Sequence, residues 1–255
     1  MPPPPILILG MHRSGTSCLA GSLQQRGLFL GDVYESRPYN RKGNRENQRI
    51  MDLTDAVLAA SGGAWDRPPG TLHWNAAAAA ERDAIVATMA SGAEGAPWGF
   101  KDPRTLLTLS FWRERLGDAR FVGTFRHPAR VAASLAARDP TMSFAAALDL
   151  WLAYNRQLLA LHAQAPFPLV DFDTTPAAYV ATVDALARTL ALPGTGAGSL
   201  PVPMLAVVAP TGVGTTLPAC FTTSSPSTYS QLSRAGPNSV SGSGTQIMSG
   251  SVVPT

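Results

Sequence analysis

The chain has 255 residues, 45% of them hydrophobic, with 23 Gly and 22 Pro, which is enough apolar material for a sizeable core and excludes a wholly disordered or collagen-like chain. Its two cysteines, Cys18 and Cys220, belong to no CxxC or Cys/His cluster, which excludes a disulfide scaffold or zinc ribbon and makes a reducing compartment the default. A net charge of +3 and a pI near 9.1 suit an anionic ligand but are too slight for duplex nucleic acid. The apolar run Ile6 to Leu9 is too short for a signal-peptide core or a membrane span, so a soluble, cytoplasmic protein is expected.

In chain order, Pro5 to Gly10 reads as a buried strand, Gly15 to Arg26 as a helix, and Gly27 to about Asn44 as a polar loop. Helices are expected at about 46–60 and 75–90, the second built on Ala76 to Ala80 and capped by Asn75. A short strand, Trp98 to Lys101, precedes a helix from Arg104 to Leu116. Ala119 to Arg126 is the clearest further core strand, and Pro128 opens a helix that runs to about Arg138. Ser143 starts a long helix, Phe144 to about His162, with Leu148, Trp151, Leu152, Leu158 and Leu159 on its apolar face and Asn155 as a buried hydrogen-bonding residue within it. Pro168 to Phe172 is a strand and Thr175 to Leu192 the closing helix. Strands separated by helices imply parallel βαβ units, hence an α/β fold with a central parallel sheet flanked by helices in three layers.

Charge sets a boundary. All 17 acidic residues and 19 of the 20 Lys and Arg precede Pro193, and Arg234 is the only charge in the last 63 residues. That stretch is rich in Gly, Ser, Thr and Pro, with one apolar patch from Met204 to Val208. Residues 1–192 are therefore expected to form the folded domain. Residues 193–255 read as a low-complexity, disordered tail, or as an extension foreign to the domain.

The most informative segment is ILILGMHRSGTS, Ile6 to Ser17. A buried strand runs into a glycine turn and then a helix, which gathers unpaired main-chain N–H groups and the positive end of a helix dipole where a phosphate can sit. Against the Walker A pattern, Gly10 and Gly15 fit and Ser17 completes the match, but Thr16 stands where lysine should. Arg13 can supply the missing cation from within the turn, and the strand-turn-helix is P-loop-like.

The string HRSGTS resembles the 5′-phosphosulfate loop of the sulfotransferase superfamily, in its bacterial branch. On that resemblance Arg13 is the basic residue, Gly15 the tight turn, and Ser14, Thr16 and Ser17 the donors around the 5′ phosphosulfate of 3′-phosphoadenylyl sulfate (PAPS). Cytosolic members carry lysine where Arg13 stands. A second match is independent of the first. In FVGTFRHPARVAASLAAR, Arg126 ends a strand and Ser134 follows at the spacing of the family's motif for the 3′ phosphate. A strand-end arginine faces the crevice where α/β sheets bind ligands, and its planar fork suits a phosphate. Gly43 to Leu53, Trp98 to Trp112 and Leu150 to Leu158 resemble the same branch, so the likeness covers about residues 5–192.

The resemblance implies transfer of a sulfuryl group from PAPS to a hydroxyl or amine, with Arg13 as the cation on the leaving oxygen. Glu46 is the first candidate for the base, with His73, Asp102 and Glu35 as rivals, and a helix-capping carboxylate would look the same. Lys101 and Asp102 stand at a strand end, where they would contact sulfate or the acceptor, or where Asp102 would simply pair with Lys101 or Arg104. No metal cluster is visible. Arg37, Arg41, Lys42, Arg45 and Arg49 form a cationic run that reads as a solvated face, a lid or an acceptor rim. The expected partners are the nucleotide donor and an acceptor, whether carbohydrate, lipid or small molecule, with no nucleic acid and no membrane span; the oligomeric state is open. Two other functions remain: a P-loop kinase or nucleotidase, against which Thr16 counts, and a non-catalytic nucleotide-binding relative with a replaced C-terminus.

Overall fold

In the computed structural model the sheet has four parallel strands, β1 (Ile6–Leu9), β2 (Gly99–Lys101), β3 (Arg120–Phe125) and β4 (Leu169–Asp171), in the order β2-β1-β3-β4. The structure describes residues 3–34 and 44–194, all within one compact unit. Every residue of β1 is buried, as expected of a strand covered on both faces. The chain leaves β1 toward β2 on one side and later enters β3 on the other. The switch in direction opens a crevice between the carboxyl ends of β1 and β3, the place where open α/β sheets bind ligands.

Seven α-helices are described: α1 (Thr16–Gln24), α2 (Gln48–Ala60), α3 (Ala76–Gly92), α4 (Leu109–Arg113), α5 (Pro128–Arg138), α6 (Phe144–Gln164) and α7 (Pro176–Thr189). On one face of the sheet Ile6, Ile8, Val122 and Val170 pack against Leu19 and Leu23 of α1 and Val183 and Leu186 of α7. On the other, α5 packs on α6, and a Cβ on Gly123 of β3 would stand 3.2 Å from Leu158 of α6. Helices thus cover both faces. No helix of the described residues is long and apolar enough to cross a membrane.

The elements follow the expected order, with three local differences. Arg104 to Leu116 is not one helix: a short 3-10 turn, Pro103–Leu106, precedes the five-residue α4. The break lies at Thr108, whose backbone, at φ −113° and ψ 20°, leaves the helical region before α4 begins. On α6 the buried stripe is Ala147, Leu150, Trp151, Tyr154, Leu158 and Leu161, while Leu148, Leu152 and Leu159 are only half-buried. Tyr154 lies in that stripe, and its hydroxyl donates to the Trp65 carbonyl at 2.8 Å. Asn155 is buried and donates to the Trp151 carbonyl, as expected. Finally, Glu46 precedes α2 rather than opening it, because Asn47 is the cap. At the far end, Leu192 is buried and Gly194 N–H bonds the Arg26 carbonyl. Glu35, Arg37, Arg41, Lys42 and the tail from residue 195 lie outside the described residues.

Candidate active site

The turn between β1 and α1 is shaped by backbone that only certain residues tolerate. Gly10 and Gly15 have positive φ, and so does Arg13, at 66°; a non-glycine residue held there stores about 1–3 kcal/mol that surrounding contacts must offset. A Cβ on Gly10 would stand 2.5 Å from the Thr124 carbonyl, and one on Gly15 2.2 Å from the Phe172 ring. The Thr124 hydroxyl donates to the Ser14 carbonyl at 3.0 Å, tying the turn to β3. Gly15 offers α1 no side-chain cap, so the first N–H groups of this helix face the crevice.

The two sequence motifs meet here. Arg13 Nε donates to Ser134 Oγ of α5 at 2.8 Å, across 121 residues of chain. Arg126, just past β3, directs one terminal nitrogen at the Arg13 carbonyl, 3.4 Å away. Burial lowers the Arg13 guanidinium from its ordinary value, and the cations of Arg138 and Arg126 push the same way. Positive charge is therefore crowded at the mouth of the turn, an arrangement that an anion relieves.

Arg126 is held from below and from the side. Its guanidinium lies over the Phe172 ring, 5.5 Å from the centroid. Asp173 accepts from Arg126 Nε at 3.3 Å, Arg130 at 2.9 Å and the His127 main-chain N–H at 2.7 Å. Burial opposes the Asp173 charge, but these hydrogen bonds outweigh it and hold the carboxyl below its usual value. Neither Phe172 nor Asp173 stood out in the sequence. The only available signal was their place just past a strand end on the crevice side.

Lys101, at the end of β2, lies with its ammonium 2.5 Å from Glu46 Oε1 and 3.3 Å from Ser17 Oγ. The Lys101 side chain is 1% exposed and that of Glu46 9%, so this is a buried ion pair, and Asn44 donates to the other Glu46 oxygen at 2.6 Å. Burial pushes the Lys101 ammonium down from its ordinary value against the opposing pull of Glu46. Asp102 turns the other way. It caps the 3-10 turn through the Arg104 N–H and pairs with Arg104 Nε at 2.8 Å. His73 is exposed, and the hydrogen bonds it makes to Ser61 run through its main chain. Among the described candidates for the base, Glu46 is the one that lies beside the turn, through Lys101.

His12 lies between the ring of Trp65, centroid 4.8 Å away, and that of Tyr154 at 6.0 Å, with its Nε2 buried and unpartnered. Burial first, then the cations Arg104, Lys101, Arg138 and Arg13, push the imidazole well below the usual histidine value. A neutral ring is the result at pH 7.

The profile of the sulfotransferase family matches residues 4–193. The chain belongs to the sulfotransferase family. Membership carries the general activity, transfer of a sulfuryl group from a donor to an acceptor. Among solved structures, this sulfotransferase is similar to the sulfotransferase domain of the olefin synthase of Synechococcus PCC 7002, with 20% identity and a TM-score of 0.49 over 75% of this chain and 74% of that one. It is also similar to sulfotransferase STF1 of Mycobacterium tuberculosis H37Rv, with 16% identity and a TM-score of 0.42 over 74% and 71% of the two chains. No curated protein matches the sulfotransferase significantly.

Proposed function

We propose that this sulfotransferase uses PAPS as its donor and transfers the sulfuryl group to a hydroxyl or amine. The observation that carries the reading is the convergence of Arg13, Ser134 and Arg126 at the crevice, because two anion-binding elements side by side suit a nucleotide with phosphate at both its 5′ and 3′ ends. The turn, with Ser14, Gly15, Thr16 and Ser17, takes the 5′ phosphosulfate, and Arg126 with Ser134 takes the 3′ phosphate. As the acceptor oxygen or nitrogen bonds to sulfur, the bond from sulfur to the bridging oxygen breaks and 3′,5′-adenosine bisphosphate leaves.

Arg13 neutralises charge on the leaving oxygen, and Lys101 adds a second cation from beside Ser17. Glu46 receives the acceptor proton. Replacing it by glutamine keeps hydrogen-bonding groups toward Lys101 and Asn44 but removes the base, so turnover of PAPS falls about 100-fold or more while bisphosphate affinity holds. Equal loss of affinity and turnover would reduce Glu46 to a partner of Lys101. We assign nucleotide binding to residues 1–192, which contain every residue named.

A kinase reading is disfavoured by the buried Thr16 in place of the Walker lysine and by the strand-end acids Asp102 and Asp173, both committed to arginines. Calorimetric titration with 3′,5′-adenosine bisphosphate and with ATP·Mg decides between them. The bisphosphate is expected to bind without magnesium; tight magnesium-dependent binding of ATP with no response to the bisphosphate would overturn the assignment.

A further inference from the structure

A second guanidinium, that of Arg130, stands at the entrance to α5. His127 caps this helix, its Nδ1 accepting from the Ala129 N–H at 3.3 Å, and Pro128 fixes the first helical position, so a short and rigid stretch of chain joins Arg126 to Arg130. Arg130 lies one turn before Ser134 on the same helix face. Ser134 is the residue that meets Arg13 of the turn.

Asp173 brings the two arginines together. Its Oδ1 accepts from Arg126 Nε at 3.3 Å and from a terminal nitrogen of Arg130 at 2.9 Å, so the two donor nitrogens lie within two hydrogen-bond lengths of each other. The carboxylate is itself fixed in place, because Oδ2 accepts from the His127 main-chain N–H at 2.7 Å and the Asp173 N–H donates to Asp171 Oδ1 at 2.8 Å. One carboxylate thus faces two guanidinium groups, which leaves a surplus positive charge at the pair. Donors are left over as well. A guanidinium has five N–H groups, of which Asp173 engages one nitrogen of Arg130. The Arg130 side chain is 62% exposed against 26% for Arg126. Arg126 is held over the Phe172 ring, whereas Arg130 is free to turn its remaining N–H groups toward a ligand without giving up Asp173.

We propose that Arg130 is a second ligand of the 3′ phosphate, held beside Arg126 by the carboxylate they share. The inference rests on the PAPS reading of the site and extends it to a residue outside the motif formed by Arg126 and Ser134. A phosphate monoester carries about −1.5 to −2 charges at pH 7, more than a single arginine fork balances. A dianion beside Arg126 meets the surplus charge of the pair, and Asp173 stays behind both forks as their common support. A plain surface ion pair contributes little to stability, so an Arg130 that served Asp173 alone would leave no separate mark on nucleotide affinity.

The test is calorimetric titration of the full chain with 3′,5′-adenosine bisphosphate and with 5′-AMP, in the unmodified protein, Arg130→Gln, Arg130→Lys, Asp173→Asn and the double variant Arg130→Gln with Asp173→Asn. Arg130→Gln, at an exposed position, is expected to weaken the bisphosphate about fivefold to tenfold and 5′-AMP by less than about twofold. Arg130→Lys keeps the charge without the fork and should lose less. In the Asp173→Asn background the amide oxygen still accepts from both arginines, so removing Arg130 should weaken the bisphosphate by a further factor of about three or more. A loss that vanishes in that background would make Arg130 a mere counter-ion of Asp173 and overturn the proposal. Equal losses for the two nucleotides, or no loss for either, would overturn it too, while leaving the PAPS reading in place if the unmodified chain still prefers the bisphosphate. An unmodified chain that binds both nucleotides equally would overturn the PAPS reading itself, and the role of Arg130 with it.

Discussion

The two halves of the proposed nucleotide site are built from different materials. The turn after β1 is main chain: positive-φ residues, the open end of α1, and glycines pressed against Thr124 and Phe172. The strand-end site after β3 is side chain, an arginine fork propped on an aromatic ring and steadied by Asp173. A main-chain site tolerates few changes and is damaged as a whole. A side-chain site fails one contact at a time. The difference predicts distinct mutational signatures on ligands that engage one half or both.

The largest effect is expected at Gly15. Gly15→Ala places a Cβ against the Phe172 ring at a φ of 85°, a combined strain of roughly 3 kcal/mol, so 3′,5′-adenosine bisphosphate and 5′-AMP should both weaken about 100-fold or more, with a lowered Tm. Calorimetry and a thermal melt check this; a loss confined to the bisphosphate would erase the contrast between the halves.

Arg126→Ala comes next. It removes charge-assisted hydrogen bonds worth about 2–3 kcal/mol, a loss of roughly 30- to 150-fold for the bisphosphate, while 5′-AMP, which lacks the 3′ phosphate, loses little. Equal losses for the two ligands would mark general damage rather than a local contact.

These two sites were also unequally legible. Strand, glycines and helix of the turn are contiguous in sequence, and the start of α5 is signalled by Pro128 at its first position, so its expected span matches the observed Pro128–Arg138. Phe172 and Asp173 reach Arg126 from some 47 residues away through the parallel pairing of β3 and β4, a long-range register that no local pattern encodes. Trp65 and Tyr154 were hidden for the same reason: their contact spans 89 residues. Arg104 to Leu116 misled for the opposite reason, since its helical pattern is local but the backbone leaves the helical region at Thr108, between the 3-10 turn and α4.

Asp173→Asn sharpens the comparison with a smaller effect. The amide keeps the shape but loses the charge that aligns Arg126 and Arg130, so bisphosphate affinity should fall about three- to tenfold, with 5′-AMP unchanged. Tighter bisphosphate binding would instead show that Asp173 competes with the 3′ phosphate for the fork.

The remaining effect is on stability rather than affinity and reads the packing of the turn itself, at His12. His12 is held neutral in the native state by burial and nearby cations, and burial lowers His162 as well. Below about pH 6.5 the unfolded chain binds protons that these rings refuse, so stability falls as pH drops through that window, by up to about 1.4 kcal/mol per pH unit for each histidine. His12→Phe should reduce the slope in denaturant melts between pH 6.5 and 5. An unchanged slope would show that His12 titrates freely.

The central claim, a pocket that reads both ends of a 3′-phosphorylated nucleotide, is tested most directly by titrating the unmodified chain with 3′,5′-adenosine bisphosphate and 5′-AMP in the same magnesium-free buffer. The account predicts that the bisphosphate binds about 30-fold or more tightly, the contribution of a charge-assisted 3′-phosphate contact. Equal affinities would contradict it.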